Sequence, residues 1–198
     1  MEALYNFPGV NALSNMPGVT VLAPSCEREY EAMSAWAVRQ QGRAIVLAVS
    51  TPLPQLDYEL DTEYDAANTS QQVREGHGVA VIAAGTTLQA ALEAADRLAA
   101  EGKKLTVINA RFLSGIDCAL LSSLEPDHQA VLTVEAGELN GGYGQKVAAF
   151  FGDRPCSCAV WPSPRQRQRT SSTPSPRCGP DRASRKKSTS ECETLPSG

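Results

Sequence analysis

Residues 131–144 read VLTVEAGELNGGYG, an aliphatic, β-branched run that stops at Glu135 and passes through a glycine-dense loop into the helix-like stretch 145–151. A short apolar run bounded by turn residues is the signature of a buried strand, and the glycines that follow supply a tight strand-to-helix turn. The loop is not a phosphate cradle of the P-loop kind, because Gly141-Gly142-Tyr143-Gly144 lacks the Lys-Ser/Thr pair.

The same alternation extends upstream. Residues 79–84 form a strand-like run, Gly85-Thr86-Thr87 turns the chain, and Leu88, Ala91, Leu92, Ala95 and Leu98 make a helical stripe that ends at Gly102. Residues 105–108 read as a strand, 117–124 as a short helix and 130–134 as a third strand. Strand and helix in strict alternation predict an α/β fold with a doubly wound parallel sheet and right-handed crossovers. Nearer the start, 19–23 is a strand closed by Pro24, and Ser25 is placed to N-cap a helix with Glu27 and Glu29 in its first turn. That helix carries Tyr30, Met33, Ala37 and Val38, ends near Gln41-Gly42, and leads into a strand over 44–49, giving one further βαβ unit. Between the two units, 51–76 holds two prolines and the acidic residues Asp57, Glu59, Asp61, Glu63, Asp65 and Glu75 without a sustained period, so it reads as a linker.

Charge divides the chain in two. After Cys158 there are 8 Lys+Arg against 3 Asp+Glu, and before it 10 against 19, so a body of −9 carries a tail of +5. The tail, 159–198, is dominated by Ser, Pro, Arg and Lys and has too few aliphatic side chains to offset the entropy of ordering; it is expected to be disordered. Its basic residues, including Lys186-Lys187, support only non-specific contact with nucleic acid. None of the 6 cysteines has the paired spacing of a zinc site, and no apolar run is long enough to span a bilayer. A reduced, cytoplasmic protein is expected.

The loop motif, together with Asn109-Ala110-Arg111-Phe112-Leu113-Ser114-Gly115-Ile116-Asp117 and with Ser14-Asn15-Met16-Pro17 leading to Leu22-Ala23-Pro24-Ser25, resembles the 1-deoxy-D-xylulose-5-phosphate synthase family of the transketolase superfamily. The likeness runs in matching order over residues 3–152, with a weak patch near 48–72. It implies four segments: 1–50, the end of a pyrimidine-binding domain; 51–76, an acidic linker; 77–158, a transketolase C-terminal-type domain; and 159–198, an unrelated tail. The family pattern calls for a further strand and a terminal helix after Gly152, and neither is expected here. One explanation is an out-of-frame reading of a GC-rich gene beyond that point.

The resemblance also implies a cofactor, thiamine diphosphate with magnesium, and a reaction joining decarboxylated pyruvate to glyceraldehyde 3-phosphate. Its cofactor-binding segments fall outside the matched portion, so no cofactor is expected on this chain alone. A family histidine aligns with Leu4, and a family arginine that clamps the sugar phosphate aligns with Ala48; neither replacement can do that work. His77 and His128 read as solvated, Glu135 and Glu138 as structural, and Arg111 with Phe112 as a packing and interface element. No catalytic, cofactor-binding or metal residue is assigned. The expected roles are a fragment inactive alone, a structural partner in a homodimer or in a dimer with a full-length homologue, or the C-terminal subunit of a split transketolase-type enzyme.

Overall fold

The computed structural model describes residues 9–64, 68–152, 154 and 156–162. It opens with helix α1 (Gly9–Ser14), strand β1 (Val19–Leu22), helix α2 (Glu27–Ala37) and strand β2 (Ala44–Leu47), the βαβ unit that the sequence predicts. β1 and β2 pair in parallel, Val19 opposite Ala44 through Leu22 opposite Leu47.

The second unit is a five-stranded sheet built from β3 (Gln71–Arg74), β4 (Gly78–Ala83), β5 (Thr106–Asn109), β6 (His128–Glu135) and β7 (Ser157–Pro162). Helices α3 (Thr87–Ala100), α4 (Cys118–Leu124) and α5 (Tyr143–Phe151) make the connections. The strand order is β3-β5-β4-β6-β7, with β3 antiparallel and the other pairs parallel. A chain that steps from β4 to β5 on one side and then crosses to β6 on the other must cover both faces with helices.

Alternation along β4 makes those two faces visible. Ala80 and Ile82 join Ile108 and Val131 against Leu121, Leu124, Val147 and Phe151 of α4 and α5. Val81 and Ala83 join Val107 against Leu88, Ala91, Leu92 and Ala95 of α3. The spacing of those α3 residues puts them on one stripe, and each fully buried leucine contributes about 1.5–3 kcal/mol. Gly102, at φ +79, ends α3 in the left-handed turn that a side chain would resist.

The N-terminal unit packs on the first face. Val10, Val21, Ala23 and Ala48 belong to the same core as β4 and α5. The outer edge of β1 is sealed by residues 111–114: Arg111 O accepts from Ala23 N–H at 2.9 Å, and Leu113 N–H donates to Val21 O at 2.9 Å. Trp36, Tyr64 and Phe112 close the joint with ring centroids 6.0–6.4 Å apart.

Several sequence expectations change. The stretch 51–76 holds the edge strand β3 and two buried tyrosines, Tyr58 and Tyr64. Gln71-Gln72-Val73-Arg74 is too short and polar to show a period, and only pairing with β5 reveals it. Ser25 is not the N-cap of α2: Cys26 holds that position in extended conformation, without a side-chain cap, and the helix ends at Ala37. The further strand after Gly152 is present, since β7 pairs with β6 from Ala130↔Ser157 to Glu135↔Pro162. Ordered sheet therefore continues past Cys158, where the tail was expected to begin. The remaining tail, and with it the expected absence of the family's terminal helix, falls outside the described residues.

Candidate functional site

Glu135 ends β6 and points its carboxylate at the start of α5. Its Oε2 accepts the Tyr143 N–H at 2.9 Å and its Oε1 the Gly144 N–H at 3.2 Å. A helix N-terminus offers free donors and partial positive charge, and here the protein's own carboxylate takes them. The glycines make this possible: a Cβ on Gly142 would lie 2.7 Å from Glu135 Oε1, and one on Gly144 would lie 2.5 Å from Val160 Cγ1. Burial raises the Glu135 pKa, while the two N–H donors and Lys146 pull it back only in part.

Lys146 is similarly committed. Its Nζ donates toward Ser14 O (3.0 Å), Leu113 O (2.7 Å) and Ser114 O (3.2 Å), tying α1 and the 113–114 turn to α5. Burial lowers its pKa, with Glu135 opposing. Around the same loop, Asn11 Nδ2 donates to Glu138 O and Asn140 O, and Asn15 Nδ2 to Gly141 O. Glu138 is exposed, in contrast to the buried Glu135, and no hydrogen bond joins their carboxylates among the described residues.

Arg111 sits at φ 61 with its side chain buried. Nη1 lies 3.2 Å from Asp61 Oδ2, Nη2 donates to Glu63 O at 2.7 Å, and the guanidinium lies 4.1 Å from the Tyr64 ring centroid. Its contacts staple the 61–64 stretch to the end of β5, which is packing work.

A second buried network has no counterpart in the sequence reading. Glu29 Oε2 accepts both the N–H (2.7 Å) and the hydroxyl (2.6 Å) of Ser25, while Oε1 accepts from Asn109 Nδ2 at 2.8 Å. Because the Ser25 hydroxyl donates to Glu29, Tyr58 donates its own hydroxyl to Ser25 Oγ at 2.9 Å. Burial, then the nearby Glu29 carboxylate, push the Tyr58 pKa up. The only local signal was a hydroxyl residue four positions before a glutamate; the other partners lie 33 and 80 residues away. Beside it, a cleft of about 510 Å³ is lined by Cys26, Glu27, Arg28, Gln55, Leu56 and Asp57. Its wall is closed on itself in part, Gln55 Nε2 reaching Glu27 Oε2 at 3.3 Å.

The histidines separate. His77 is exposed, as expected, whereas His128 is a half-buried structural residue: Nδ1 lies 3.0 Å from Leu124 O and Nε2 2.7 Å from Thr106 Oγ1. A carbonyl can only accept, so Nδ1 carries a hydrogen, and both ring nitrogens have a partner. Ala48 is 3% exposed and belongs to the core, so no cation for a phosphate stands at that position. Leu4 lies outside the described residues.

Thiamine diphosphate and magnesium do not fit the described residues. The helix N-terminus of the glycine loop is filled by the Glu135 carboxylate, which repels a diphosphate. No cluster of three or more His, Cys, Asp or Glu side chains that could hold a metal occurs among the described residues.

Comparisons with known proteins follow the fold. Residues 68–163 match the family described as transketolase, C-terminal domain, a span that takes in both β3 and β7. The chain is 32% identical over 143 residues to a 1-deoxy-D-xylulose-5-phosphate synthase of Lysinibacillus sphaericus, covering 71% of this chain and 22% of that one. It is 35% identical to 1-deoxy-D-xylulose-5-phosphate synthase 1 of Geobacter sulfurreducens, covering 71% and 22%. The chloroplastic synthase 1 of Cannabis sativa is 33% identical over 72% of this chain and 20% of its own. This chain thus spans about a fifth of these relatives' length. Among solved structures, a split-gene transketolase described as an inactive beta4 tetramer superposes with TM-score 0.69 at 23% identity, covering 79% of this chain and 52% of that chain. A transketolase mutant of Pichia stipitis superposes with TM-score 0.59 at 17% identity, covering 78% and 22%. At these identities the two structures speak for the fold alone.

Proposed function

The chain belongs to the transketolase superfamily as a C-terminal portion of the 1-deoxy-D-xylulose-5-phosphate synthase type, and from that premise we propose that it is a structural module without catalysis of its own. The parent reaction condenses pyruvate, decarboxylated on thiamine diphosphate, with glyceraldehyde 3-phosphate, and feeds isoprenoid synthesis. One observation carries the proposal. The strongest charged groups near the family motifs are consumed in holding the fold: Glu135 on the α5 backbone, Lys146 on three carbonyls, Arg111 on the 61–64 stretch. The buried Ala48 where the family has an arginine points the same way.

We assign 1–50 to the end of a pyrimidine-binding domain, 51–76 to a linker that carries β3, and the transketolase C-terminal-type domain to the residues from 77 through β7. The protein is placed in the cytoplasm, its cysteines reduced. Its partner is a second copy or a full-length synthase. Titration calorimetry with thiamine diphosphate and magnesium tests the cofactor half of this reading: no saturable heat is expected from the chain alone, and a saturable isotherm overturns it. Co-purification with a full-length synthase tests the other half, a stoichiometric complex being expected.

A second reading, the C-terminal subunit of a split enzyme, draws support from the likeness in fold to the split-gene transketolase chain. Cofactor-dependent turnover that appears only when a separate cofactor-domain polypeptide is added would select it over the first.

A further inference from the structure

The sequence contains a single Asn-Gly step, Asn140-Gly141, in the loop that opens α5. Asn140 is exposed, and no described residue hydrogen-bonds its side-chain amide. Gly141 sits at φ +72, and a Cβ built there would meet nothing nearer than Asn15 Nδ2 at 3.7 Å. The peptide nitrogen is therefore open to its neighbour from the side on which other residues carry a blocking side chain. One group restrains it: Gly141 N–H donates to Gln145 Oε1 at 2.8 Å, one turn into the helix.

We propose that Asn140 is a site of spontaneous deamidation, and that Gln145 is the brake on it. A solvent base removes the Gly141 amide proton, and the nitrogen attacks Asn140 Cγ. The new N–Cγ bond closes a five-membered succinimide as the Cγ–Nδ2 bond breaks and ammonia leaves with a proton. Water then opens the ring. Cleavage of the Cγ–N bond gives aspartate, and cleavage of the main-chain carbonyl–N bond gives isoaspartate, with the chain rerouted through Cγ. Water is the only co-reactant, and no oxidation occurs. While Gln145 Oε1 holds the N–H, the proton is shielded from base and the nitrogen is kept from turning toward Cγ.

The two products differ in structural consequence. Aspartate at 140 keeps the backbone path and adds one negative charge to an exposed loop position. Isoaspartate inserts a methylene between carbonyl groups that are now fixed, those of Glu138, Asn140 and Gly141, held by Asn11 and Asn15. It also breaks the Gly142 N–H to Leu139 O turn bond at 3.1 Å. The module therefore loses the hold of Asn11 and Asn15 on the 138–141 loop in proportion to its isoaspartate content.

Purified protein aged at mildly alkaline pH, digested and analysed by mass spectrometry, tests the proposal against a synthetic peptide of residues 131–146. Asn140 is expected to gain the amide-to-acid mass increment ahead of every other asparagine, yet several-fold more slowly than in the peptide. Gln145→Ala is expected to remove most of that difference, and Gln145→Glu, which keeps an acceptor in place, to retain it. Hydrogen exchange at Tyr143 and Gly144 reports whether each variant keeps α5 closed. An Asn140 that stays intact while the peptide converts overturns the site. A Gln145→Ala protein with α5 closed and an unchanged rate overturns the brake.

Discussion

Glu135 shows how far a single residue can be read before the fold is known. Its position at a strand end admits an acid/base role, the family resemblance favours a structural carboxylate, and the structure gives it two backbone donors on α5. What the sequence hides is burial, which raises its pKa. The sign of the consequence follows. A carboxyl whose folded pKa exceeds its unfolded value contributes most when protonated, and that contribution is lost as pH rises through the folded pKa. The stability of the native protein minus that of Glu135→Gln, measured by denaturant unfolding, is expected to grow as pH falls from neutrality toward the ordinary glutamate range; a flat difference would contradict the assignment. His128 makes the opposite point. A lone histidine between polar neighbours looks solvated, and only the approach of Thr106 from the adjacent strand and Leu124 from α4 shows otherwise. Asn109, Tyr58 and Glu29 converge for the same reason, across separations that no local pattern encodes.

Among the elements, those with a long uniform period were legible and those at the edges were not. The stripe on α3 and the apolar runs of β4 and β6 declare themselves because each is buried by many neighbours of one kind. β7 escaped notice because Ser157-Cys158-Ala159-Val160-Trp161-Pro162 runs straight into a polar tail, and an edge strand needs only one good face. Its docking is testable. Gly144→Ala drives a Cβ to within 2.5 Å of Val160 Cγ1 and 2.6 Å of Thr133 Oγ1, an overpacking that costs about 1–3 kcal/mol. In a double-mutant cycle, Val160→Ala is expected to relieve part of that loss; strict additivity would mean that β7 does not pack on α5. β6 is covered by β7, whereas β2 pairs with β1 on one side and with no other strand among the described residues. Ala44 N–H and Ala48 N–H point to β1, so Ile45 and Leu47 present their peptide groups outward, and no strand among the described residues receives them. Such an apolar, unpaired edge invites self-association. Ala44→Lys, at an exposed position, is expected to slow the rise of light scattering while shifting stability by no more than about 0.5 kcal/mol.

At the scale of the whole molecule, the fold and the function part company. The family motifs lie where the fold needs them: the glycine loop turns β6 into α5, the Asn-Ala-Arg-Phe segment seals β1 and anchors the linker, and the Pro-Ser turn starts α2. All three were visible in the sequence because a fold conserves geometry at fixed spacing. A catalytic site is a convergence of charged groups on an open space, and Glu135, Lys146, Arg111 and Glu29 near these motifs are instead bound to backbone groups and to neighbouring side chains. The module's architecture is thus that of its superfamily, and under the proposed function its chemistry depends on what it joins. The most direct measurement is product formation by the purified chain alone, supplied with pyruvate, glyceraldehyde 3-phosphate, thiamine diphosphate and magnesium. No 1-deoxy-D-xylulose 5-phosphate is predicted above the rate without protein; sustained turnover that scales with chain concentration would contradict the account.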